Sequence, residues 1–311
     1  MNYTKKQGII FFTAFFVMLL FTLYAHAWTG ALVSGFCIFM GIMVFVFPDA
    51  KVSDEDYKII YGTAPTEKTT QEKNCLVYYG DELKFEEADI VSALNKNLTY
   101  FVYLSSADQQ KFIKRLNKFI ADKTFKIHDS SGFREMPILI SAAAIQLSFG
   151  LENYLLPNFE FINIYPEEFI SIVPTIRFLE GNVSSHSINI SWKFFLNGFR
   201  LPNDGENVGL HEMAHAYYYQ NFGPCDMIDK KFVQDFKKFN TCGNDVFQKI
   251  SQSTNGIYPD YAKKNFQEFW AESVELFFEK PMELRNTYNE LYECICEILN
   301  QNPADNLAQL T

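Results

Sequence analysis

A helix-dominated α+β domain with a small sheet, carried behind a transmembrane helical hairpin, is the architecture predicted by this 311-residue sequence. Three observations predict it. Two uncharged apolar runs lie near the N-terminus. Amphipathic segments of helical period recur from about residue 100 to the C-terminus. Between them, two short stretches alternate in the β-branched and aromatic manner of strands.

The first two elements are the runs Gly8 to Tyr24 and Gly30 to Phe47. Each is about as long as a helix needs to cross a hydrocarbon core of roughly 30 Å. His26 and Trp28 fall between them, at a position suited to a membrane interface. Residues 1–48 therefore read as a two-helix hairpin. Lys5 and Lys6 precede it, Lys51 and Lys58 follow it, and the turn carries neither Lys nor Arg. The excess of positive charge on the cytoplasmic side places both ends inside. Lys5-Lys6, the first run and Ala25-His26-Ala27 also fit a cleaved signal peptide. Even then the second run would return the chain to the cytoplasm. The expected location is the inner (cytoplasmic) membrane, with the remaining domain in the cytoplasm.

Residues 49–99 read as a connector, because Gly62 to Asn74 is rich in Thr, Lys, Glu and Gln. Ser106 with Gln109 is a capping-box pattern, and Phe112, Ile113, Leu116, Phe119 and Ile120 follow at helical spacing. Pro137 opens a second, apolar helix and Gly150 closes it. Phe159 to Tyr165 and Ser187 to Trp192 are the two strands. Asn203-Asp204-Gly205 forms a turn before a further helix, and helices are expected over Asp229 to Asn240, Asn265 to Lys280 and Leu284 to Leu299.

The formal charge of −10 argues against nucleic acid as a partner, since phosphate binding needs a basic face. The six cysteines form no CxxC pair, and they read as free thiols in a reducing compartment.

The chemistry concentrates in His211-Glu212-Met213-Ala214-His215. Residues i and i+4 share a helical face, so both imidazoles can reach one Zn²⁺. Glu212 lies one residue further round, where it can act on a water at the metal. A third ligand is required. The metzincin pattern would need Gly at 218 and His at 221, where this chain has Tyr218 and Asn221. His26, His128 and His186 stand alone. A carboxylate is the better candidate. Glu268, Glu272, Glu275 and Glu279 form one stripe on a helix otherwise rich in aromatic and aliphatic residues. One of them can ligate while another holds a ligand histidine by its free N–H. Spacing alone does not choose between Glu268 and Glu272 as the ligand.

These residues resemble the Mlc titration factor A family of zinc peptidases. The similarity runs from about residue 100 to 303. It is carried by Ala107 to Phe112, Ile164 to Phe169, Ile190-Ser191-Trp192, Asn203 to His215, Tyr261 to Phe278 and Asn300 to Pro303. That family is similar to the catalytic domain of anthrax lethal factor in its metal site. The resemblance implies a zincin-like peptidase domain over residues 100–311. It also implies one Zn²⁺ held by His211, His215 and Glu268, with Glu272 supporting the ligands. Glu212 would be the catalytic base and Tyr261, seven residues before Glu268, the donor to the oxyanion. Where family members commonly follow the second histidine with Lys-Leu-Asp, this chain has Ala216-Tyr217-Tyr218.

The expected function is hydrolysis of peptide bonds in a peptide or protein substrate, with aminopeptidase-like activity among those the resemblance implies. The alternative is a membrane-tethered cytoplasmic regulatory protein. It would bind a partner such as a transcriptional regulator, with zinc structural or regulatory.

Overall fold

The computed structural model describes residues 75–129, 135–171, 177–223, 228–253 and 256–308. The expected hairpin, residues 1–48, and the loop at 62–74 lie outside them. Among the described residues no helix is long and apolar enough to cross a membrane.

The domain starts earlier than its sequence suggests. Within the expected connector lie strand β1 (Leu76–Tyr79), helix α1 (Glu87–Asn97) and a short helix α2 (Thr99–Val102). Helix α1 is anchored by only three buried side chains, Ile90, Ala93 and Leu94, among acidic and polar neighbours, so its periodicity is faint in sequence. Helix α3 (Ser106–Asp122) buries the five apolar residues expected of it. Its cap is Ser105 rather than Ser106: the Ser105 hydroxyl accepts the Asp108 N–H at 3.2 Å.

Strand β2 (Thr124–Ile127) leads to helix α4 (Met136–Ser148), which is buried on every side. Then come β3 (Phe161–Tyr165), β4 (Phe169–Ser171), β5 (Arg177–Leu179), β6 (Gly181–Ser184) and β7 (Ser187–Ser191). Strands β4 and β5 pair with each other, and the other five form one sheet in the order β1-β2-β3-β7-β6. The two expected strands, β3 and β7, are its parallel centre, and β1 and β6 close it as antiparallel edges. Ile162, Ile164, Ile188 and Ile190 are buried. On the alternate positions an asparagine ladder crosses three strands. Asn163 donates to the Asn189 carbonyl at 2.6 Å, and Asn189 donates to the Asn182 carbonyl at 2.7 Å. Because side chains alternate with period two, this ladder fixes the register of the edge strand β6.

The C-terminal half is helical: α5 (Trp192–Arg200), α6 (Val208–Phe222), α7 (Lys230–Ser251), α8 (Phe266–Glu279), α9 (Pro281–Thr287), α10 (Asn289–Leu299) and α11 (Pro303–Ala308). Two lengths differ from expectation. Helix α7 runs past Asn240 through Gly243, a helix weakener in isolation, where an added Cβ would stand 3.3 Å from the Phe266 and Phe269 rings. The close packing replaces what propensity lacks. The expected helix Leu284 to Leu299 is broken at Tyr288, whose backbone is non-helical (φ −139°, ψ 65°), and Asn300 closes α10 at φ 50°.

Helix α6, which carries the two histidines, packs against α4, β6, β7 and α8. Trp270 of α8 pins it directly. Its indole N–H donates to the Ala214 carbonyl at 3.1 Å, and its ring stacks edge-on against Phe236 and Phe239 of α7. The helices that position the site are thus locked from behind by an aromatic core.

Candidate metal centre

The Asn203-Asp204-Gly205 turn, with Gly205 at φ +81°, delivers the chain to Asn207, which caps α6 by accepting the Leu210 N–H at 3.0 Å. The cap sets the rotation of the helix, so that His211 and His215 point the same way. Asn265 caps α8 by accepting the N–H groups of Gln267 and Glu268. That places Glu268 in the first turn of α8, facing the two rings.

Three ligand atoms converge there. His211 Nε2 and His215 Nε2 lie 3.1 Å apart, and Glu268 Oε2 is 3.2 Å from the first and 2.9 Å from the second. Donors around a tetrahedral ion with bonds of about 2.0–2.1 Å are separated by roughly 3.3 Å, so this spacing and donor set suit a small divalent cation. The His215 Nδ1 atom is buried without a partner. His211, Glu272 and Glu275 also meet ligand spacing. The contact there is on the other ring nitrogen, which suits orientation of His211.

On the far side of the His211 ring the structure places Glu275 nearer than the expected Glu272. Glu275 Oε1 lies 2.7 Å from His211 Nδ1, while the nearest Glu272 oxygen is 3.7 Å away, beyond hydrogen-bonding distance. Seven residues after Glu268, Glu275 stands two turns along the same stripe. Spacing identified the stripe but did not say which carboxylate meets the far side of the ring.

Glu212 is only 5% exposed, and its Oε2 atom has no hydrogen-bond partner. Burial pushes its carboxyl up to about 8, against the pull of His211. The room for this side chain comes from β6. A Cβ on Gly181 would stand 2.5–2.7 Å from the Glu212 carboxyl group. Nothing in the sequence pattern flagged Gly181, because the contact crosses from strand to helix.

Burial opposes a charge on His211, yet hydrogen bonds with Glu268 and Glu275 hold its pKa well above the ordinary imidazole value. Burial lowers His215. The opposite directions are physically consistent, since two Nε2 atoms 3.1 Å apart cannot both carry protons between them. Burial disfavours charge on Glu268 too, but the two imidazoles outweigh it and hold that carboxyl well below its usual range. Glu272 is pushed up to about 8, first by burial and then by Glu275.

Tyr261, in the 3₁₀ turn Asp260–Lys263, is about half exposed and donates its hydroxyl to Glu268 Oε1 at 3.3 Å. Lys264 lies over the Tyr261 ring, with its ammonium 3.8 Å from the same carboxylate oxygen. The two remaining described histidines do not join this group. His128 stacks on Tyr165, and the His186 Nδ1 atom is 2.9 Å from the Asn158 carbonyl.

An α+β domain with a histidine–carboxylate cluster beside a buried glutamate belongs, by its chemistry, with the metal-dependent hydrolases. Comparison with known sequences makes this specific. The profile of the glucose-regulated metallo-peptidase M90 family matches residues 81–299, and the chain belongs to that family. It is thus a metallopeptidase by family, which implies a metal ion, and the histidine–carboxylate group could hold one. A protein of Synechocystis sp. (strain ATCC 27184 / PCC 6803 / Kazusa), described only as uncharacterised, is 24% identical over 220 residues, covering 65% of this chain and 80% of that protein.

Proposed function

We propose that the chain is a zinc-dependent peptidase of zincin-like fold, tethered to the cytoplasmic face of the inner membrane by residues 1–48. In this reading His211, His215 and Glu268 hold the ion. The supporting observation is the convergence of their three ligand atoms within 4.8 Å of one another.

Zinc, when bound, polarises the scissile carbonyl and brings the pKa of a water towards about 7. Glu212 takes the proton of the attacking water on its unpaired Oε2 and returns it to the leaving amine. Glu275 holds His211 by its Nδ1 proton, which keeps the Nε2 lone pair directed at the ion. Tyr261 can redirect its half-exposed hydroxyl from Glu268 to the developing oxyanion. Strand β6 is the last in the sheet order, and its Gly181 lies against Glu212. An extended peptide adding to that edge would pass its backbone by the base.

The test uses the full chain with peptides of free and blocked amino termini. Glu212→Gln should keep one equivalent of zinc and lose turnover by about 10²–10⁴-fold, the usual worth of a general base. Undiminished turnover would remove Glu212 from the reaction, and chelator-resistant turnover would remove the metal. Cleavage of blocked peptides would exclude a strict aminopeptidase.

A further inference from the structure

Asn207 uses every polar group it has on the two helices that form the metal centre. Its side-chain carbonyl accepts the Leu210 N–H at 3.0 Å, and its backbone carbonyl accepts the His211 N–H at 2.9 Å. Both bonds belong to the start of α6. Its backbone N–H donates to Glu275 Oε2, and its side-chain amide donates to Glu279 Oε1 at 2.9 Å. Both of those acceptors belong to α8. The remaining Glu279 oxygen takes the Gly205 N–H at 2.9 Å, so the preceding turn is tied to the same carboxylate.

The residue is 7% exposed, and its surroundings are built around it. A Cβ on Gly198 of α5 would come within 3.0 Å of Asn207 Cα, and one on Gly209 within 3.2 Å of its Oδ1. The other oxygen of the Glu275 carboxylate contacts His211 Nδ1 at 2.7 Å. A single residue therefore joins the start of the histidine-bearing helix to the carboxylate that orients the first histidine.

We propose that Asn207 is a positioning residue of the metal centre, clamping α6 to α8 through Glu275 and Glu279 and thereby fixing the ring of His211. An N-cap alone needs only an acceptor, which Ser or Asp supplies equally well. The clamp also needs the amide donor. Ser carries a hydroxyl donor but lacks the second group and the reach needed to cap α6 and bond Glu279 at once. Asp offers Glu279 only an acceptor where the amide offers a donor. The side-chain chemistry is thus specific to Asn for a reason unrelated to helix capping.

The inference rests on the metal centre proposed above, and the experiment separates the two. Zn²⁺ affinity is measured for the folded full chain by chelator competition, with circular dichroism as the check on folding. Four variants are compared: Asn207→Ser, Asn207→Asp, Glu279→Ala and Asp229→Ala. Asp229 caps α7 by accepting the N–H groups of Lys231 and Phe232, so its loss reports a missing cap on a helix that carries none of the ligands.

The expected result is Zn²⁺ affinity weakened by about tenfold or more in both Asn207 variants and in Glu279→Ala, as for other residues that orient metal ligands. Asp229→Ala should lower stability and leave affinity unchanged. Wild-type affinity in Asn207→Ser and in Glu279→Ala would overturn the clamp, leaving Asn207 only a cap. Should the Asn207 variants not fold, Glu279→Ala decides alone, because it removes the clamp from the far side and spares the cap. Failure of wild-type protein to bind Zn²⁺, or retention of Zn²⁺ by His211→Ala, would instead refute the metal centre itself.

Discussion

At the scale of single residues, the site depends on where carboxylates are buried and what accompanies them. Glu212 occupies the space left by the missing side chain of Gly181. Gly181→Ala should displace the base by a few tenths of an ångström or more, and misplacing a reacting group can cost about 100-fold in rate. The expected outcome is lower kcat with zinc content unchanged; a wild-type kcat would show that Glu212 tolerates the methyl group. Glu279 offers a pH test away from the metal ligands. Burial pushes its carboxyl up to about 8, although Asn207 and Gly205 both donate to it. Between the ordinary carboxylate pKa and about 8 the folded chain holds a proton that the unfolded chain has released, so stability falls as pH rises. The difference in unfolding free energy between wild type and Glu279→Gln should therefore shift against wild type by up to about 1.4 kcal/mol per pH unit in that window. Denaturant titrations of both proteins at pH 5 and pH 8 measure it, and a constant difference would contradict the burial cost.

At the scale of elements, four of the expected helices lie close to where periodicity put them. The departures have local causes. The Leu284 to Leu299 segment breaks at Tyr288, and α7 continues through Gly243 because Phe266 and Phe269 fill the space beside it. The edge strands β1 and β6 are four residues each, too short for alternation to stand out. Strand β6 is held in register by the asparagine ladder rather than by a hydrophobic pattern of its own. Asn189→Ala would leave the partly buried Asn163 and Asn182 without their shared partner, at a cost of about 0.5–1.5 kcal/mol for each hydrogen bond lost. Because β6 carries Gly181, turnover should fall along with the melting temperature. A variant that melts like wild type would show the ladder to be dispensable.

At the scale of the whole molecule, the described residues form a domain from residue 75 onward, and the family profile covers residues 81–299 of it. Residues 1–48 carry two uncharged apolar runs outside the described region. If they anchor the protein as proposed, the full chain should sediment with membranes and resist extraction by alkaline carbonate. Recovery in the soluble fraction would reject the anchor. A protease added to intact spheroplasts should leave the domain uncut, whereas cleavage would reverse the proposed orientation.

The sequence by itself determined the pair His211 and His215, the position of Glu212 between them and the acidic stripe on α8, because these depend only on spacing along a helix. It also marked β3, β7 and most of the helices through local periodicity. Spacing left Glu268 and Glu272 open and the family resemblance pointed to Glu268; the tertiary structure brings Glu268 to both rings, sets Glu275 nearer than Glu272 to His211, and places Asn207 and Gly181 beside them. Those contacts join residues between 31 positions apart (Gly181 and Glu212) and 72 apart (Asn207 and Glu279). Their geometry follows from how α6, α8 and the edge of the sheet pack around the aromatic core, and no periodicity within one segment encodes the distance to another.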